Sequence, residues 1–341
     1  MVMFYADRQE PPYRIGFLLL PNFSLIAFTS AVEPLRLANR LSGRPLYDWR
    51  LYSEDGAPVA SSGGAAVMVD SALDNDAELG LLLVCSGIDV HLVGGGAVAA
   101  WLRRLERRGS AIGALCTGSH VLARAGLLKN YRCTIHWENI VGFVEEFPDL
   151  EVTAQIYEID RNRYTCAGGT AAIDLMLEVI AEQHGIDLAG DVAEQIIHER
   201  IRDQSVHQRL SLPGRLGVRH PKLLSIIETM ENNLEEPLGR AELAEQAGLS
   251  TRQLERLFRR YLNRSPARYY LEMRLHRARL LLLQTNMSVM NVALACGFVS
   301  ASHFTKCYRA FFGRTPYRER GLPKAADAEA PRPRKKATAA G

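Results

Sequence analysis

No Cys-x-x-Cys pair occurs anywhere in the 341 residues. The six cysteines, at positions 85, 116, 133, 166, 296 and 307, are scattered and mostly sit in apolar runs. That excludes a disulfide framework or a thiolate zinc site and reads as reduced thiols packed as small hydrophobes. The histidines lack metal-ligand spacing, so neither a metal nor a cofactor is expected. Gly94-Gly95-Gly96 follows no strand in the register a dinucleotide loop requires and reads as a plain loop. No apolar run suits a signal peptide at the N-terminus or is long enough to cross a bilayer, so a cytoplasmic protein without membrane contact is expected. Net charge is also nearly lacking, at +3.

The small total hides a division. Residues 1–218 hold 19 Lys/Arg against 27 Asp/Glu, whereas residues 219–320 hold 17 against 9. An acidic half followed by a basic one points the C-terminal part toward a polyanion.

Residues 14–184 alternate strand-like and helix-like segments. Arg14-Ile-Gly-Phe-Leu-Leu-Leu20, closed by Pro21-Asn22, suits a buried parallel strand, as do Leu79–Val84 and Ala111–Leu115. From Ser24, a plausible cap, Leu25, Phe28, Val32, Leu35 and Ala38 recur at helical intervals. Trp101, Leu102 and Leu105 among Arg103, Arg104, Arg107 and Arg108 read as a half-exposed helix. Ile156–Ile159, Tyr164–Ala167, the apolar helix Ala171–Ile180 and a helix at about Leu188–Arg202 follow. The pattern predicts an α/β domain over residues 13–204, with a mostly parallel sheet and helices on both faces. Residues 205–221, polar and broken by Pro213, Gly214, Gly217 and Pro221, read as a linker. An all-α domain is expected over 222–321, and a disordered tail over 322–341.

The C-terminal part repeats itself. Leu243-Ala244-Glu-Gln-Ala247-Gly248-Leu249-Ser250, followed by Leu254, Leu257 and Phe258, returns as Val292-Ala293-Leu-Ala-Cys296-Gly297-Phe298-Val299-Ser300, followed by Phe304, Cys307 and Tyr308. A small residue lets two helices cross closely, a Gly ends the first with positive φ, an apolar residue plugs the angle, and a Ser caps the second. Each copy is thus a helix-turn-helix unit able to place its second helix in the major groove of double-stranded DNA. A connecting helix over Pro266–Leu283 spans roughly 27 Å, enough to set the two recognition helices about one DNA turn apart. A helical dimerisation bundle would explain the apolar positions, but neither the duplication nor the basic excess.

These residues resemble the AraC/XylS family of regulators over about Lys222–Gly321, including Phe311-Phe312-Gly313-x-Thr315-Pro316 near the end. By position, the resemblance implies a first recognition helix at Thr251–Leu262 presenting Thr251, Arg252, Gln253 and Arg256. The second, at Ala301–Phe312, presents Ala301, Ser302, His303, Lys306 and Arg309. Arg and Gln suit bidentate contacts to base edges, whereas Lys306 and Arg309 suit phosphates equally well.

In the first domain, Ala111-Ile-Gly-Ala-Leu115 runs straight into Cys116-Thr117-Gly118-Ser119-His120 and a helix over Val121–Ala125. A sharp strand-to-helix turn exposes its central side chain beside a helix N-terminus, which makes Cys116 a nucleophile candidate and His136 its candidate partner. A buried, unreactive thiol beside a structural histidine fits the spacing equally. Residues Tyr13–His184 resemble the class I glutamine amidotransferase-like (PfpI-like) fold, through the opening strand, the Cys elbow, His136 and Thr165-Cys-Ala-Gly168-Gly169-Thr170. Catalytic members carry an acidic residue early in the first helix; here Ala27 or a neighbour stands there, and Thr117 follows the elbow Cys where protease-like members have His. Without those groups, activation of the thiol and proton transfer each lose a participant. A retired active site reused as an effector pocket is therefore expected, with no enzymatic activity. Retained amidase or glyoxalase-like chemistry is the alternative.

The whole arrangement, with His198-Glu-Arg-Ile-Arg202, Gln208-Arg209-Leu210 and His220-Pro-Lys-Leu-Leu224, is similar to the GlxA-like regulators, and within them to regulators of arginine, carnitine or glycine betaine catabolism. The resemblance implies an activator, homodimeric and working with RNA polymerase, that binds a small nitrogenous metabolite. Expected ligand contacts are Phe23, Cys116, Thr117, Gly118, His136, Trp137 and Gly168, with Phe23 and Trp137 as aromatic walls for a quaternary ammonium group.

Overall fold

The computed structural model describes residues 11–209 and 211–320; the tail expected to be disordered lies outside the described residues. The chain divides into two units between Ser211 and Leu212.

In the first unit the strands are, in chain order, β1 (Tyr13–Leu19), β2 (Tyr47–Tyr52), β3 (Val59–Ala60), β4 (Ala66–Val67), β5 (Leu81–Cys85), β6 (Ala111–Leu115), β7 (Arg132–Thr134), β8 (Glu151–Thr153), β9 (Tyr157–Asp160) and β10 (Arg163–Cys166). Its helices are α1 (Leu25–Ser42), α2 (Gly96–Arg107), α3 (Gly118–Arg124), α4 (Ile140–Glu146), α5 (Ala171–His184) and α6 (Ile186–Gln195). Six strands form one sheet in the order β2-β1-β5-β6-β10-β9, and only the β9–β10 pair is antiparallel. Alternate residues feed two cores. Ile15, Phe17, Leu19, Leu81 and Leu83 pack with α1, α5 and α6, while Leu18, Leu82, Val84 and Ile112 pack with α2, α3 and α4. Burial on both faces is why the central strands read as unbroken apolar runs. β2 escapes that reading because it is an edge strand whose Asp48 and Arg50 are exposed.

One helix boundary differs from expectation. The helix expected at Leu188–Arg202 stops at Gln195, because Ile197 adopts a left-handed φ of 57° and the chain beyond it turns back to bond Asp174. Residues 205–221 are not free-standing throughout. Val206 O accepts from Ile156 N (2.9 Å), and Gln208 N donates to Ala154 O (3.0 Å). From Leu212 the chain is helical again as α7 (Leu212–Leu216), whose Leu212 and Leu216 pack on the core of the second unit.

The second unit continues with α8 (Pro221–Asn232), α9 (Arg240–Gln246), α10 (Thr251–Leu262), α11 (Pro266–Gln284), α12 (Val289–Ala295), α13 (Ala301–Phe312) and α14 (Pro316–Glu319). Ser250, Ser265, Ser288, Ser300 and Thr315 each accept a backbone N–H at a helix start, and Pro266 and Pro316 occupy first-turn positions where no N–H is needed.

The two turn glycines share a sequence role but not an environment. Gly248 (φ 60°) has only Lys222 Nζ near a virtual Cβ, at 3.7 Å, whereas at Gly297 (φ 72°) that atom would lie 2.6 Å from Pro237 Cγ and 2.8 Å from Glu235 O. Gly248→Ala should cost about 1 kcal/mol, the left-handed penalty alone. Gly297→Ala should cost about 3 kcal/mol, because a proline ring and a backbone carbonyl must also move. Urea unfolding of the two variants checks this; equal losses would show that the Pro237 contact yields freely.

Candidate functional site

The recognition helices α10 and α13 have the expected bounds and matching caps. On α10, Leu254 and Phe258 are buried, while Thr251, Arg252, Gln253, Arg256, Arg259 and Arg260 face solvent. On α13, Phe304 and Tyr308 are buried, Ser302, His303, Lys306 and Arg309 are exposed, and Ala301 is half-buried. Gln253 also has local work: its Oε1 accepts from Ser250 N at 2.7 Å, closing a capping box. His303 Nε2 lies 3.4 Å from Cys307 Sγ.

Several basic residues elsewhere in the unit have partners within it. Arg274 donates to Cys296 O (2.7 Å) and Gly297 O (2.6 Å) and stacks on Phe298, so it holds the second turn together. Arg268 pairs with Glu272, Arg279 with Glu319 and Arg215 with Glu231. On the two recognition helices Arg252, Arg256, Arg259, Arg260, Lys306 and Arg309 are exposed, and Arg219, Lys222 and Arg318 are further exposed basic residues of the second unit. α11 joins them over 19 residues, about 28 Å of helix.

The second candidate site is built at the end of β6. Cys116 adopts φ 60°, a strained left-handed turn for a non-glycine residue, and α3 begins two residues later, earlier than the sequence pattern placed it. Two glycines make the elbow possible. A Cβ on Gly118 would lie 2.2 Å from Val84 O, and one on Gly168 (φ 85°) would lie 2.7 Å from Cys116 Cβ. Cys116 N donates to Cys166 O (3.0 Å), His136 N donates to Cys116 O (3.2 Å), and Thr117 Oγ1 donates to Gly87 O (2.7 Å). Cys116, Thr117, Gly118, His136, Trp137 and Gly168 thus converge on one corner of the unit.

Phe23 is adjacent in the chain path but turned inward. It is fully buried, edge-on to Phe28, so it presents no wall to a ligand. Trp137 is 39% exposed, and the Arg209 guanidinium carbon lies 4.8 Å from its ring centroid.

Burial pushes the Cys116 thiol up to about 11; the Thr117 N–H opposes this and the Glu138 carboxylate adds to it. Burial likewise lowers the pKa of His136, against Glu138, which raises it. At neutral pH Cys116 is a thiol and His136 a neutral imidazole, not a thiolate and an imidazolium. The first turn of α1 carries no acidic residue, and Ala27 there is buried. The charge of Glu138, in the loop after β7, raises the pKa of both Cys116 and His136. Sequence reasoning missed Glu138; its one signal was the run His136-Trp137-Glu138. Among the described residues no cluster of His, Cys, Asp or Glu is arranged to hold a metal.

A further constellation ties the elbow to the chain after α6. Asp174, fully buried in the first turn of α5, accepts from His198 Nε2 (2.9 Å), Arg202 N (2.7 Å), Arg202 Nε (3.0 Å) and an Arg202 terminal nitrogen (2.6 Å). Arg202 also donates to Thr170 Oγ1 (3.1 Å), two residues beyond Gly168. A cavity of about 560 Å³ lies elsewhere, at the β9 edge, lined by residues including Tyr157, Ile159, Glu178 and Asp203; it shares no residue with the elbow.

Two capped helix-turn-helix units following an α/β elbow domain define a DNA-binding transcription regulator. Comparison with known proteins agrees. Residues 14–182 match the DJ-1/PfpI family and residues 243–321 match a helix-turn-helix domain. The chain is 49% identical over 309 residues to the HTH-type transcriptional regulator GbdR of Pseudomonas aeruginosa, covering 91% of this chain and 84% of that protein. It is 49% identical over 316 residues to the HTH-type transcriptional regulator CdhR of the same organism, covering 92% and 94%. The crystal structure of an AraC family transcriptional regulator from Pseudomonas putida matches 54% of this chain and 100% of its own at 34% identity, with a TM-score of 0.51. The chain belongs to the AraC/XylS family of helix-turn-helix transcriptional regulators, in the group whose N-terminal domain is DJ-1/PfpI-like. These near-full-length relatives are regulators, not enzymes. No helix among the described residues is long and apolar enough to cross a membrane.

Proposed function

We propose that this regulator activates a catabolic operon when a small nitrogenous metabolite, of the class of arginine, carnitine or glycine betaine, binds at the Cys116 elbow. The carrying observation is the character of that corner. A buried neutral thiol and a neutral His136 form a poor nucleophilic pair, yet Trp137 and Glu138 beside them suit a soft cation. Thr251, Arg252, Gln253, Arg256, Ala301, Ser302, His303, Lys306 and Arg309 form the DNA-reading surface. The protein acts in the cytoplasm as a homodimer that presents four reading helices and engages RNA polymerase at the promoter. Residues 13–204 carry the sensor function and 222–321 the DNA function, with residues 205–221 as the linker.

The test is a thermal-shift screen of the full-length protein with arginine, carnitine, glycine betaine and choline, followed by a reporter assay with whichever stabilises it. Cys116→Ser should keep the response, because the turn needs a small side chain. Cys116→Leu should abolish it by filling the corner, with DNA binding retained. A folded, DNA-binding Cys116→Ser protein that ignores the metabolite would overturn the sensor reading and favour covalent capture or turnover by the thiol.

A further inference from the structure

The cation that occupies the Trp137 face belongs to the chain itself. Arg209 lies over the indole, 4.8 Å from its centroid, although the ring is 39% exposed and stands beside the elbow. Arg209 ends a short stretch latched to the sheet. Val206 O accepts from Ile156 N, Gln208 N donates to Ala154 O, and Gln208 Nε2 donates to Thr134 Oγ1, Ile135 O and Gln155 O, each at 2.9 Å. Thr134 and Ile135 are the residues immediately before His136 and Trp137, so the latch and the aromatic face share one strand end. Three residues after Arg209, at Leu212, the second unit begins.

We propose that Arg209 is an internal stand-in for the effector: an organic cation, quaternary ammonium or guanidinium in type, competes with it for the Trp137 face and frees the segment that leads into the DNA-binding unit. This rests on the effector pocket proposed above and adds where the cationic group sits and how occupancy is felt beyond the pocket. The chemistry is a like-for-like exchange. A guanidinium and a tetraalkylammonium are both weakly hydrated cations attracted to the negative face of an indole, and one ring face accommodates one of them. Glu138, next in the chain, adds a carboxylate whose field already reaches Cys116 and His136. Exchange removes the Arg209 contact next to the Gln208 latch, so the end of the latched stretch gains freedom without any change in the sheet.

The test uses the full-length protein and tetramethylammonium chloride as the probe, titrated at constant ionic strength against sodium chloride. Trypsin cleavage after Arg209, followed by mass spectrometry, reports release of the side chain, and cleavage after Lys129 in an exposed turn is the control. The Trp137 indole N–H resonance, assigned with Trp137→Phe, reports occupancy. We expect cleavage after Arg209 to accelerate at least tenfold at saturation while cleavage after Lys129 is unchanged. Trp137→Leu should be cleaved rapidly without probe and show no further response. Arg209→Ala should lower the half-saturating probe concentration at least threefold, and Arg209→Lys, a more strongly hydrated cation that stacks less well, should lower it by less. A saturable indole shift with unchanged cleavage, and with no gain in affinity for Arg209→Ala, would overturn the displacement and leave the effector pocket standing. No indole shift in either protein would overturn a cation site at Trp137, and the metabolite screen would then decide separately whether the elbow binds an effector elsewhere.

Discussion

Replacing Arg252 and Arg256 together by alanine is expected to remove most sequence-specific DNA binding. Both lie on the exposed face of α10, in its first two turns, and the Ser250–Gln253 capping box fixes that helix end. A bidentate arginine contact to a guanine edge discriminates by about 1–3 kcal/mol, so each single variant should lose roughly 5- to 150-fold on a selected duplex. The double variant should approach the product of the two losses if they touch separate bases. Titrations on selected and random duplexes at one salt concentration separate the roles. Loss on the selected duplex alone marks base reading; equal loss on both, with a shallower salt dependence, marks phosphate contact. No loss on either would remove the α10 face from the interface. Gln253→Ala should act differently and weaken the helix start as well, because its carbonyl oxygen closes the cap.

Asp174→Ala is expected to destabilise the N-terminal unit by about 3 kcal/mol, as removal of one partner strands the others. The carboxylate is fully buried, lies in the first turn of α5 where the helix dipole favours a negative charge, and is the shared acceptor for His198 and Arg202. For a unit of this size the loss corresponds to a melting temperature lower by roughly 6–12 °C. Arg202→Ala should cost less, since Arg202 is 29% exposed while Asp174 keeps His198. The double variant should cost little more than Asp174→Ala, giving a coupling of about 2 kcal/mol in a double-mutant cycle. Simple additivity would show that the two side chains act independently. The expected local effect is loosening of Thr170 and of the chain after Ile197, measurable as faster amide exchange there.

Most of the second unit was legible because its signals are short-range. Gly248 and Gly297, the Ser caps and the apolar spacing of Leu254 and Phe258 act within one or two helical turns, so the starts of α10 and α13 follow from neighbouring residues, while their full bounds were what the family resemblance implied. The central strands were legible for a similar reason, since burial on both faces writes an unbroken apolar run. β2 was not, because an edge strand with Asp48 and Arg50 exposed writes no such run. The segment after α6 misled: His198 and Arg202 read as helix, but their side chains and the Arg202 N–H are claimed by Asp174 across the unit.

From its sequence alone this protein was determined to be an acidic α/β domain followed by two basic helix-turn-helix units, with a cysteine at a strand-to-helix elbow. Those features need only periodicity, caps, turn glycines and charge counts, all of which a chain carries locally. Only the tertiary structure decided what surrounds the elbow. Phe23, equally aromatic in the sequence, is sealed in the core, whereas Trp137 is partly exposed with Arg209 over its ring. No carboxylate stands in the first turn of α1, the Glu138 charge only pushes the Cys116 thiol further up, and the two turn glycines differ through Pro237. Each of these outcomes depends on which distant segments meet and how much water they exclude, quantities set by packing in three dimensions that no local pattern encodes.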